Sequence, residues 1–297
     1  MIIGILGPTA SGKTALSIEI AKEFGGEIVS ADSVAVYKGF DIGSAKPDGE
    51  ERRQAVFHLV DCIGYNENYS VGEFQRQAHG IIDDIGSRGK LPIVCGGSGL
   101  YAKAALEGLD NLPETTPEVR EKISRMIEED YDSAVARLEF FDPLYAEKCD
   151  LKNPRRVARA LEIIEMTGKA PSLVMEETKA PERPPWTAFC LTMEREKLIE
   201  RINRRVDLMV EAGLFEETEN LLKMGADRYS VPMSSIGYRE CADYLFGDMT
   251  KDEAIERIKI STRQFAKRQY TWFRKYSSVI WVDTDNRDII KQYIKNI

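Results

Sequence analysis

The sequence lacks long apolar runs: no segment approaches the roughly 20 consecutive apolar residues of a membrane-spanning helix. It also lacks paired cysteines, because its five cysteines are scattered, odd in number and never arranged as C-x-x-C. This usage argues against a zinc site and a disulfide framework, and it favours a reducing compartment. No basic segment precedes the apolar residues 2–6 and no small-residue cleavage site follows them, so we expect no signal peptide. These absences predict a cytoplasmic protein with no membrane partner, and nothing in the sequence implies a protein partner.

An excess of basic residues is also missing. The chain of 297 residues carries 49 acidic and 41 basic side chains, which gives a formal net charge of −8 at pH 7. Composition alone therefore does not suggest a nucleic-acid partner, although a basic stripe on one face of an acidic protein can still bind phosphates. The length suits one large domain, or a core domain with a smaller insertion.

The first hundred residues alternate short apolar strands with amphipathic helices. The predicted strands are Ile2–Leu6, Glu27–Ser30 and Leu91–Cys95. Residues Ala15–Phe24 carry apolar side chains at helical spacing, and Ser70, with a glutamate three residues later, begins a further helix as a capping box. Strands that alternate with helices indicate a mostly parallel sheet covered on both faces. We therefore predict an α/β fold.

Composition changes near residue 111, where strand patterns give way to helical ones. Two proline-rich stretches, residues 111–117 and 171–185, flank the change. Between them, Asn153-Pro154 is typical of a helix start and Gly168 of a helix stop. Strand patterns return at residues 187–191 and 279–282. We predict a helical insertion domain, residues 112–185, within a discontinuous core domain of residues 1–111 and 186–297.

A phosphate-binding loop of the form G-x-x-x-x-G-K-[ST] follows the first predicted strand. Its residues are Gly7, Pro8, Thr9, Ala10, Ser11, Gly12, Lys13 and Thr14. The glycines allow backbone N–H groups to close round phosphate oxygens, and the start of the next helix adds a favourable field. Lys13 supplies a positive charge, and the Thr14 hydroxyl is placed to ligate Mg²⁺. The pattern is also typical of ATP-binding proteins, and it predicts a site for a phosphate or a diphosphate.

The motif leaves open what the loop does with that phosphate. An ATPase normally provides a second strand that ends in a metal-binding aspartate, whereas Leu91–Cys95 ends in a cysteine followed by two glycines. Asp83 and Asp84 lie within a predicted helix, which favours a solvated face. Asp32, at the end of the second strand, is the one carboxylate well placed near the loop, either to assist a metal or to act as a general base.

Several segments together resemble the tRNA dimethylallyltransferases, also called tRNA isopentenyltransferases. In the order of that family, the segments are GPTASGKT (7–14), SADSVAVYKGFDIGSAKP (30–47), GGSGLY (96–101), PRRVARALEI (154–163), SIGYRE (235–240) and TRQFAKRQYTWFRK (262–275). They cover essentially the whole chain. The resemblance implies a P-loop NTPase-like parallel sheet. It also implies transfer of a dimethylallyl group from dimethylallyl diphosphate to the exocyclic amine of the adenosine just 3′ of the tRNA anticodon.

The resemblance also implies roles for individual residues. Asp32 matches the base that takes the amine proton, and Ser98, where the family usually has threonine, keeps a hydroxyl to orient the adenine and Asp32. The diphosphate would be stabilised by the loop, by Mg²⁺ and by Arg205, which matches an arginine that contacts it. An adenine amine is a poor nucleophile because its lone pair is delocalised, so a base within hydrogen-bond reach suits this chemistry.

Two basic clusters are predicted to contact tRNA. Residues 259–282 contain six basic and no acidic residues. On a helix, Lys259, Arg263, Lys267, Tyr270 and Arg274 would fall within roughly 80° of one another, as a basic stripe suited to RNA. The second cluster lies on an insertion helix that, by the resemblance, faces the tRNA. The full set of predicted tRNA-binding residues is Asp32, Ser33, Val34, Ala35, Ser98, Arg155, Arg156, Arg159, Arg263, Lys267 and Arg268.

Two positions depart from the family pattern. Ala35 stands where the family usually has a glutamine that contacts RNA, and Arg155 replaces a glutamine of the insertion motif. We expect catalysis to survive and recognition of the neighbouring nucleotides to change. Three alternatives remain: a P-loop kinase of a nucleotide or small metabolite, an isopentenyltransferase that acts on free AMP or ATP, and a non-catalytic RNA-binding protein.

Overall fold

The computed structural model of the protein describes residues 1–180 and 182–296; Pro181, within the second proline-rich stretch, lies outside them. The chain divides into two compact units. The first consists of Met1–Glu107 and Arg183–Ile297, and the second is Gly108–Glu182. Within the described residues, no helix is both long and apolar enough to cross a membrane.

The first unit is built on a six-stranded sheet in which every pairing is parallel. Its strands are β1 (Ile2–Leu6), β2 (Gly26–Ser30), β3 (Phe57–His58), β4 (Leu91–Gly96), β5 (Trp186–Thr192) and β6 (Val279–Asp283). Their order across the sheet is β3-β2-β4-β1-β5-β6. The predicted α/β fold with a P-loop NTPase-like parallel sheet is confirmed.

Helices account for most of the remaining chain. In chain order they are α1 (Lys13–Phe24), α2 (Gly49–Gln54), α3 (Val71–Ser87), α4 (Gly99–Leu106), α5 (Pro117–Glu129), α6 (Tyr131–Phe141), α7 (Pro143–Lys148), α8 (Pro154–Thr167), α9 (Pro171–Glu177), α10 (Arg195–Glu211), α11 (Leu214–Lys223), α12 (Tyr238–Leu245), α13 (Lys251–Phe273) and α14 (Asp288–Lys295). A 3₁₀ turn, Thr284–Asn286, precedes α14.

Local signals in the sequence start and stop several of these helices. The Ser70 hydroxyl accepts a hydrogen bond from the Glu73 N–H at 3.1 Å and so caps α3. Asn153 caps α8 in the same way, and Gly168 ends α8 in the left-handed conformation that glycine favours. Asp83 and Asp84 are exposed on α3 and pair with arginines, as expected for a solvated face.

The sheet is covered on both faces, and alternate residues of the central strand show how. Ile3 and Ile5 point into a fully buried cluster with residues of α1 and α14. Gly4 points the other way, where a side chain would come within 3.3 Å of Leu106 in α4. The core of the first unit therefore lies on both faces of the sheet.

The regular elements that the structure describes in the second unit are the helices α5 to α9, and the unit has an apolar core of its own. Helices α5, α6 and α8 pack Ile123, Leu138, Val157 and Leu161 together, all at 1% exposure or less. Asp142 is buried with them and caps α7, while its other carboxylate oxygen accepts from the Ser172 N–H at 2.7 Å. The unit thus has the buried core of an independent helical module.

Candidate functional site

The phosphate loop and the segment that follows β2 meet at one edge of the sheet. Because all six strands run parallel, the loops that follow them emerge at the same edge, where α/β proteins generally bind ligands. Here they line a cavity of about 420 Å³. The residues predicted for diphosphate binding and catalysis that border it are Thr9, Lys13, Thr14, Asp32, Ser98 and Arg205.

The phosphate loop takes its shape from residues in left-handed backbone conformations. Gly7 has a φ of 144°, and a side chain there would come within 3.0 Å of the Leu191 carbonyl oxygen. Gly12 has a φ of 90° and precedes the first turn of α1. Ala10 has a φ of 62°, and its methyl group packs in an apolar cluster with residues of α10 and α13. These two helices therefore support the loop.

Two cations at the cavity, Lys13 and Arg205, form no ion pair within the described residues, although the Asp32 charge acts on both. The Lys13 ammonium donates to the Pro8 carbonyl oxygen at 2.6 Å. Burial is the main reason that the pKa of Lys13 falls from 10.5 to about 8, and the nearby Arg205 charge contributes to this shift. Burial also lowers the pKa of Arg205. Poorly solvated cations without a paired anion favour a negatively charged ligand at this position.

A further arginine lies at the loop, one helical turn before Arg205. The Nη2 atom of Arg201 is 3.6 Å from where a β-carbon of Gly12 would lie. Arg201 is exposed and forms no ion pair with any carboxylate that the structure describes. Spacing of four residues places Arg201 and Arg205 on the same face of α10. Sequence reasoning missed Arg201, although this spacing was the available signal.

Asp32 follows β2 and holds its own loop in shape. Its Oδ1 accepts from the Val34 N–H at 2.8 Å and from the Ala35 N–H at 3.2 Å. Its other oxygen, Oδ2, accepts no hydrogen bond from the described residues. Ser33, Val34 and Ala35 also border the cavity, but the Ala35 side chain is buried, at 2% exposure. One carboxylate oxygen is therefore committed to structure and the other is available for chemistry.

Ser98 and Asp32 border the same cavity because the strands that precede them, β4 and β2, are neighbours. A side chain at Gly96 would collide with the Ala31 backbone, so glycine allows the end of β4 to approach the end of β2. Ser98 occupies the N-cap position of α4, yet its hydroxyl makes no capping hydrogen bond. The hydroxyl is therefore available to a ligand in the cavity.

Two residues far away in the sequence anchor the segment from Phe40 to Pro47, part of which borders the cavity. The Glu217 carboxylate of α11 accepts from three successive N–H groups, those of Asp41, Ile42 and Gly43, at 2.9–3.3 Å. Tyr238 of α12 donates to Glu217 at 2.5 Å and accepts from the Gly43 N–H at 3.0 Å. Sequence reasoning assigned neither residue.

The predicted basic stripe on α13 is only partly exposed, because two of its cations contact α10. Lys259 pairs with Asp207 of α10 at 2.7 Å, and Arg263 donates to the Asn203 side chain at 2.6 Å. Tyr270 packs against the apolar cluster beneath the phosphate loop. The stripe assumed that α13 has one solvated side, whereas α10 covers part of it. Lys267 and Arg268 are exposed without carboxylate partners among the described residues, and Arg268 borders the cavity.

The three arginines predicted on the insertion differ in their surroundings. Arg155 and Arg156 are exposed in the first turn of α8. Arg159 donates to the Pro113 carbonyl oxygen at 2.8 Å and to the Thr115 hydroxyl. Within this unit Arg159 therefore holds the entry segment of the insertion, while Arg155 and Arg156 leave their guanidinium groups to solvent.

The side chains that could hold a metal are few. Among residues 1–180 and 182–296, no group of three or more His, Cys, Asp or Glu side chains could bind one. Thr14 and Asp32 border the same cavity and offer oxygen ligands. Mg²⁺ usually keeps several waters and takes one or two protein oxygens together with substrate phosphates. The residues present therefore fit a magnesium ion that arrives with a phosphate ligand.

Two family models together match most of the sequence. The model described as IPP transferase matches residues 35–276, and the model described as isopentenyl transferase matches residues 1–56. Among curated relatives, the tRNA dimethylallyltransferase of Acetivibrio thermocellus is 44% identical over 299 residues, covering 100% of this chain and 96% of its own length. That of Carboxydothermus hydrogenoformans is 43% identical, with 98% and 94% covered.

Solved structures give the same result. The full-length tRNA isopentenylpyrophosphate transferase from Bacillus halodurans is 38% identical with a TM-score of 0.74, covering 99% of this chain and 95% of its own. A eukaryotic dimethylallyltransferase, described as acting on tRNA, is 30% identical with a TM-score of 0.82, covering 99% of this chain and 79% of its own.

Proposed function

The chain belongs to the IPP transferase family, and on that premise we propose that it is a tRNA prenyltransferase. It transfers a dimethylallyl group from dimethylallyl diphosphate to the exocyclic amine of the adenosine 3′ to the anticodon. The products are isopentenyladenosine in tRNA and diphosphate. One observation carries this proposal: the phosphate loop and Asp32, with its available carboxylate oxygen, border the same cavity.

The phosphate loop binds the leaving group of this reaction. As the bond between the allylic carbon and its oxygen breaks, the bonding pair leaves with the diphosphate, whose negative charge grows. Lys13 and Arg205, both poorly solvated, stabilise that charge together with the loop N–H groups. Arg201 contributes a further cation beside Gly12. Within the loop, the Pro8 carbonyl oxygen accepts from the Lys13 ammonium and from the Ser11 N–H.

Asp32 acts on the nucleophile. The exocyclic nitrogen of adenine forms the new bond to the allylic carbon and must lose one proton, which Oδ2 of Asp32 accepts. Oδ1 stays bonded to the Val34 and Ala35 N–H groups, so the carboxylate is held in one orientation. The Ser98 hydroxyl borders the same space and orients the adenine. Charge then balances, with a proton on Asp32 and diphosphate as the leaving group.

Magnesium is the metal that we propose for this site. Thr14 would be its protein ligand, alongside oxygens of the diphosphate. When bound, the ion would neutralise part of the diphosphate charge. The proposal also places the reaction in the cytoplasm, which agrees with five free cysteines.

The tRNA is proposed to contact both units of the chain. In the first unit, Lys267 and Arg268 are exposed on α13 and form no ion pair with the described carboxylates. Arg263 lies one helical turn before Lys267 and donates one hydrogen bond to Asn203. In the insertion, Arg155 and Arg156 offer exposed guanidinium groups. Such cations bind RNA phosphates, and a target base in an anticodon loop is unstacked at less cost than one in a duplex.

One assay tests the function. Purified protein, Mg²⁺ and labelled dimethylallyl diphosphate are incubated with unmodified tRNA, with AMP, or with the same tRNA carrying guanosine at the target position. We expect label only in the tRNA that has the target adenosine. Label in AMP but not in tRNA would contradict the proposal, and ATP hydrolysis with label in neither acceptor would indicate a kinase.

A further inference from the structure

Gln269 is a buried glutamine whose side chain joins the two loops that form the cavity. Its Oε1 accepts from the Thr9 N–H in the phosphate loop at 2.9 Å. Its Nε2 donates to the Gly97 carbonyl oxygen, beside Ser98, at 3.0 Å. Gln269 is 5% exposed and lies on α13. Neither loop is close to it in sequence, so one carboxamide links segments that are 172 and 260 positions away.

A carboxamide satisfies both contacts. The Thr9 N–H needs an acceptor and the Gly97 carbonyl needs a donor, and the two ends of an amide supply one of each. A carboxylate would place an oxygen against the Gly97 carbonyl oxygen, and an apolar side chain would leave two buried polar groups without partners. The glutamine is therefore matched to this bridge by chemistry as well as by volume.

The turn from Gly97 to Gly99 is shaped to receive α13. A β-carbon at Gly97 would collide with Nε2 of Gln269, and one at Gly99 would collide with the indole of Trp272. Ser98 is thus bracketed by two contacts with the same helix. On the other side, Ala266 of α13 packs with Ala10 of the phosphate loop. Helix α13 therefore touches both loops, and Gln269 is its polar link to each.

We propose that Gln269 is a positioning residue, which sets the distance between the phosphate loop and the Ser98 turn and so aligns the two substrates. The inference rests on the proposed function, in which the loop holds the diphosphate and the turn orients the adenine. Transfer requires the amine to lie about 3–3.5 Å from the allylic carbon, and a misplacement of about 1 Å can cost 100-fold in rate. A bridge between the two binding sites controls this separation directly.

Loss of the bridge should also change the products. When the amine is displaced, water can attack the allylic carbon instead. The new bond is then between carbon and the water oxygen, diphosphate leaves with the bonding pair, and dimethylallyl alcohol and a proton are released. A residue that only fills the core would leave this partition between transfer and hydrolysis unchanged.

The test compares Gln269→Met and Gln269→Glu with Gln292→Met, a matched change at an exposed glutamine of α14. Turnover is followed with labelled dimethylallyl diphosphate and tRNA, and prenylated tRNA and dimethylallyl alcohol are both counted. We expect kcat to fall about 100-fold in Gln269→Met, with small changes in KM and a higher ratio of alcohol to prenylated tRNA. Gln292→Met should match the wild type.

The outcomes separate this inference from the function itself. A wild-type protein that transfers no label to tRNA would contradict the proposed function and not the role of Gln269. If the wild type is active, a folded Gln269→Met protein with wild-type kcat and partition overturns the inference. If thermal melting shows that Gln269→Met is unfolded at the assay temperature, Gln269→Glu, which keeps the volume, decides by the same criterion.

Discussion

At the scale of single residues, the site depends on how one carboxylate divides its two oxygens. Oδ1 of Asp32 accepts two backbone N–H groups, and Oδ2 has no partner among the described residues. This division allows structure and catalysis to be tested separately, since an amide preserves the first function and removes the second. Lys13 offers a second test, because burial lowers its pKa into the range of ordinary assays.

For Asp32→Asn we expect the loop to survive and the chemistry to fail. The amide oxygen can still accept from Val34 and Ala35, but it cannot take a proton from the adenine amine. Single-turnover transfer should fall roughly 10²- to 10⁴-fold, while binding of dimethylallyl diphosphate, measured by calorimetry, should change little. Asp83→Asn, on the exposed face of α3, is the control. Equal losses of binding and turnover would show that Asp32 serves the metal or the fold.

The lowered pKa of Lys13 predicts pH-dependent binding of diphosphate. Below a pH of about 8 the ammonium is charged and attracts the anion; as pH rises through about 8 the free protein loses that charge and affinity falls. Bound diphosphate raises the pKa again, so binding near pH 8 should take up protons. Calorimetry in two buffers of different ionisation enthalpy measures this uptake. Lys13→Met should bind weakly with little uptake, and equal uptake by both proteins would refute the assignment to Lys13.

At the scale of elements, the helices after β5 support loops that begin near the N-terminus. Helix α13 bonds to the phosphate loop and to the Ser98 turn, while α11 and α12 hold the segment from Phe40 to Pro47. The strand ends alone would leave these loops without partners for their backbone N–H groups. The C-terminal third of the chain therefore shapes a site whose motifs lie in the first hundred residues.

For Glu217→Ala we expect a loss of stability together with a loss of activity. The substitution leaves three backbone N–H groups and the Tyr238 hydroxyl without their acceptor, which should cost about 2–3 kcal/mol in the free energy of unfolding. Urea denaturation measures this, and kcat/KM for tRNA should fall because the segment borders the cavity. Glu216→Ala, at the exposed neighbour on α11, should alter neither quantity. A normal unfolding free energy for Glu217→Ala would contradict the anchoring role.

At the scale of the whole molecule, an acidic chain must bind an acidic partner. The net charge of −8 repels RNA, so binding depends on local cations that are free of carboxylates. Basic side chains on or next to α3, α11 and α14 are engaged in ion pairs, such as Arg88, Lys223 and Lys291. Lys267 and Arg268 on α13 differ from them in having no such partner among the described residues.

Affinity for tRNA should therefore depend strongly on salt, and Lys267 should account for part of that dependence. The slope of log affinity against log salt is negative, and each lost phosphate contact lowers its magnitude by about 0.7–0.9. We expect Lys267→Ala to weaken binding and to reduce the slope by that amount, measured by fluorescence titration of an anticodon stem-loop at several salt concentrations. The control is Lys223→Ala, which removes an exposed lysine already paired with Glu219. Identical slopes for both variants would exclude Lys267 from the RNA contact.

Local sequence patterns were sufficient for most of the fold and for the chemical centre. Short apolar runs predicted the strands β1, β2, β4, β5 and β6, and capping residues predicted the starts of α3 and α8. The phosphate loop and Asp32 were found because their backbone conformation and position after a strand are encoded within a few neighbouring residues. Two short elements, β3 and α2, were not predicted, because two paired residues and six helical residues carry too little periodicity.

Only the tertiary structure decided which polar side chains serve the site and which face of α13 is free. Gln269, Glu217 and Arg201 act on loops that are more than 170 positions away in sequence, as the separation of 260 between Gln269 and Thr9 shows. Which side of α13 faces solvent likewise follows from its packing on α10, whose side chains contact Lys259 and Arg263. The physical reason is that a local pattern determines backbone conformation, whereas the partner of a polar atom depends on which distant segments fold against each other.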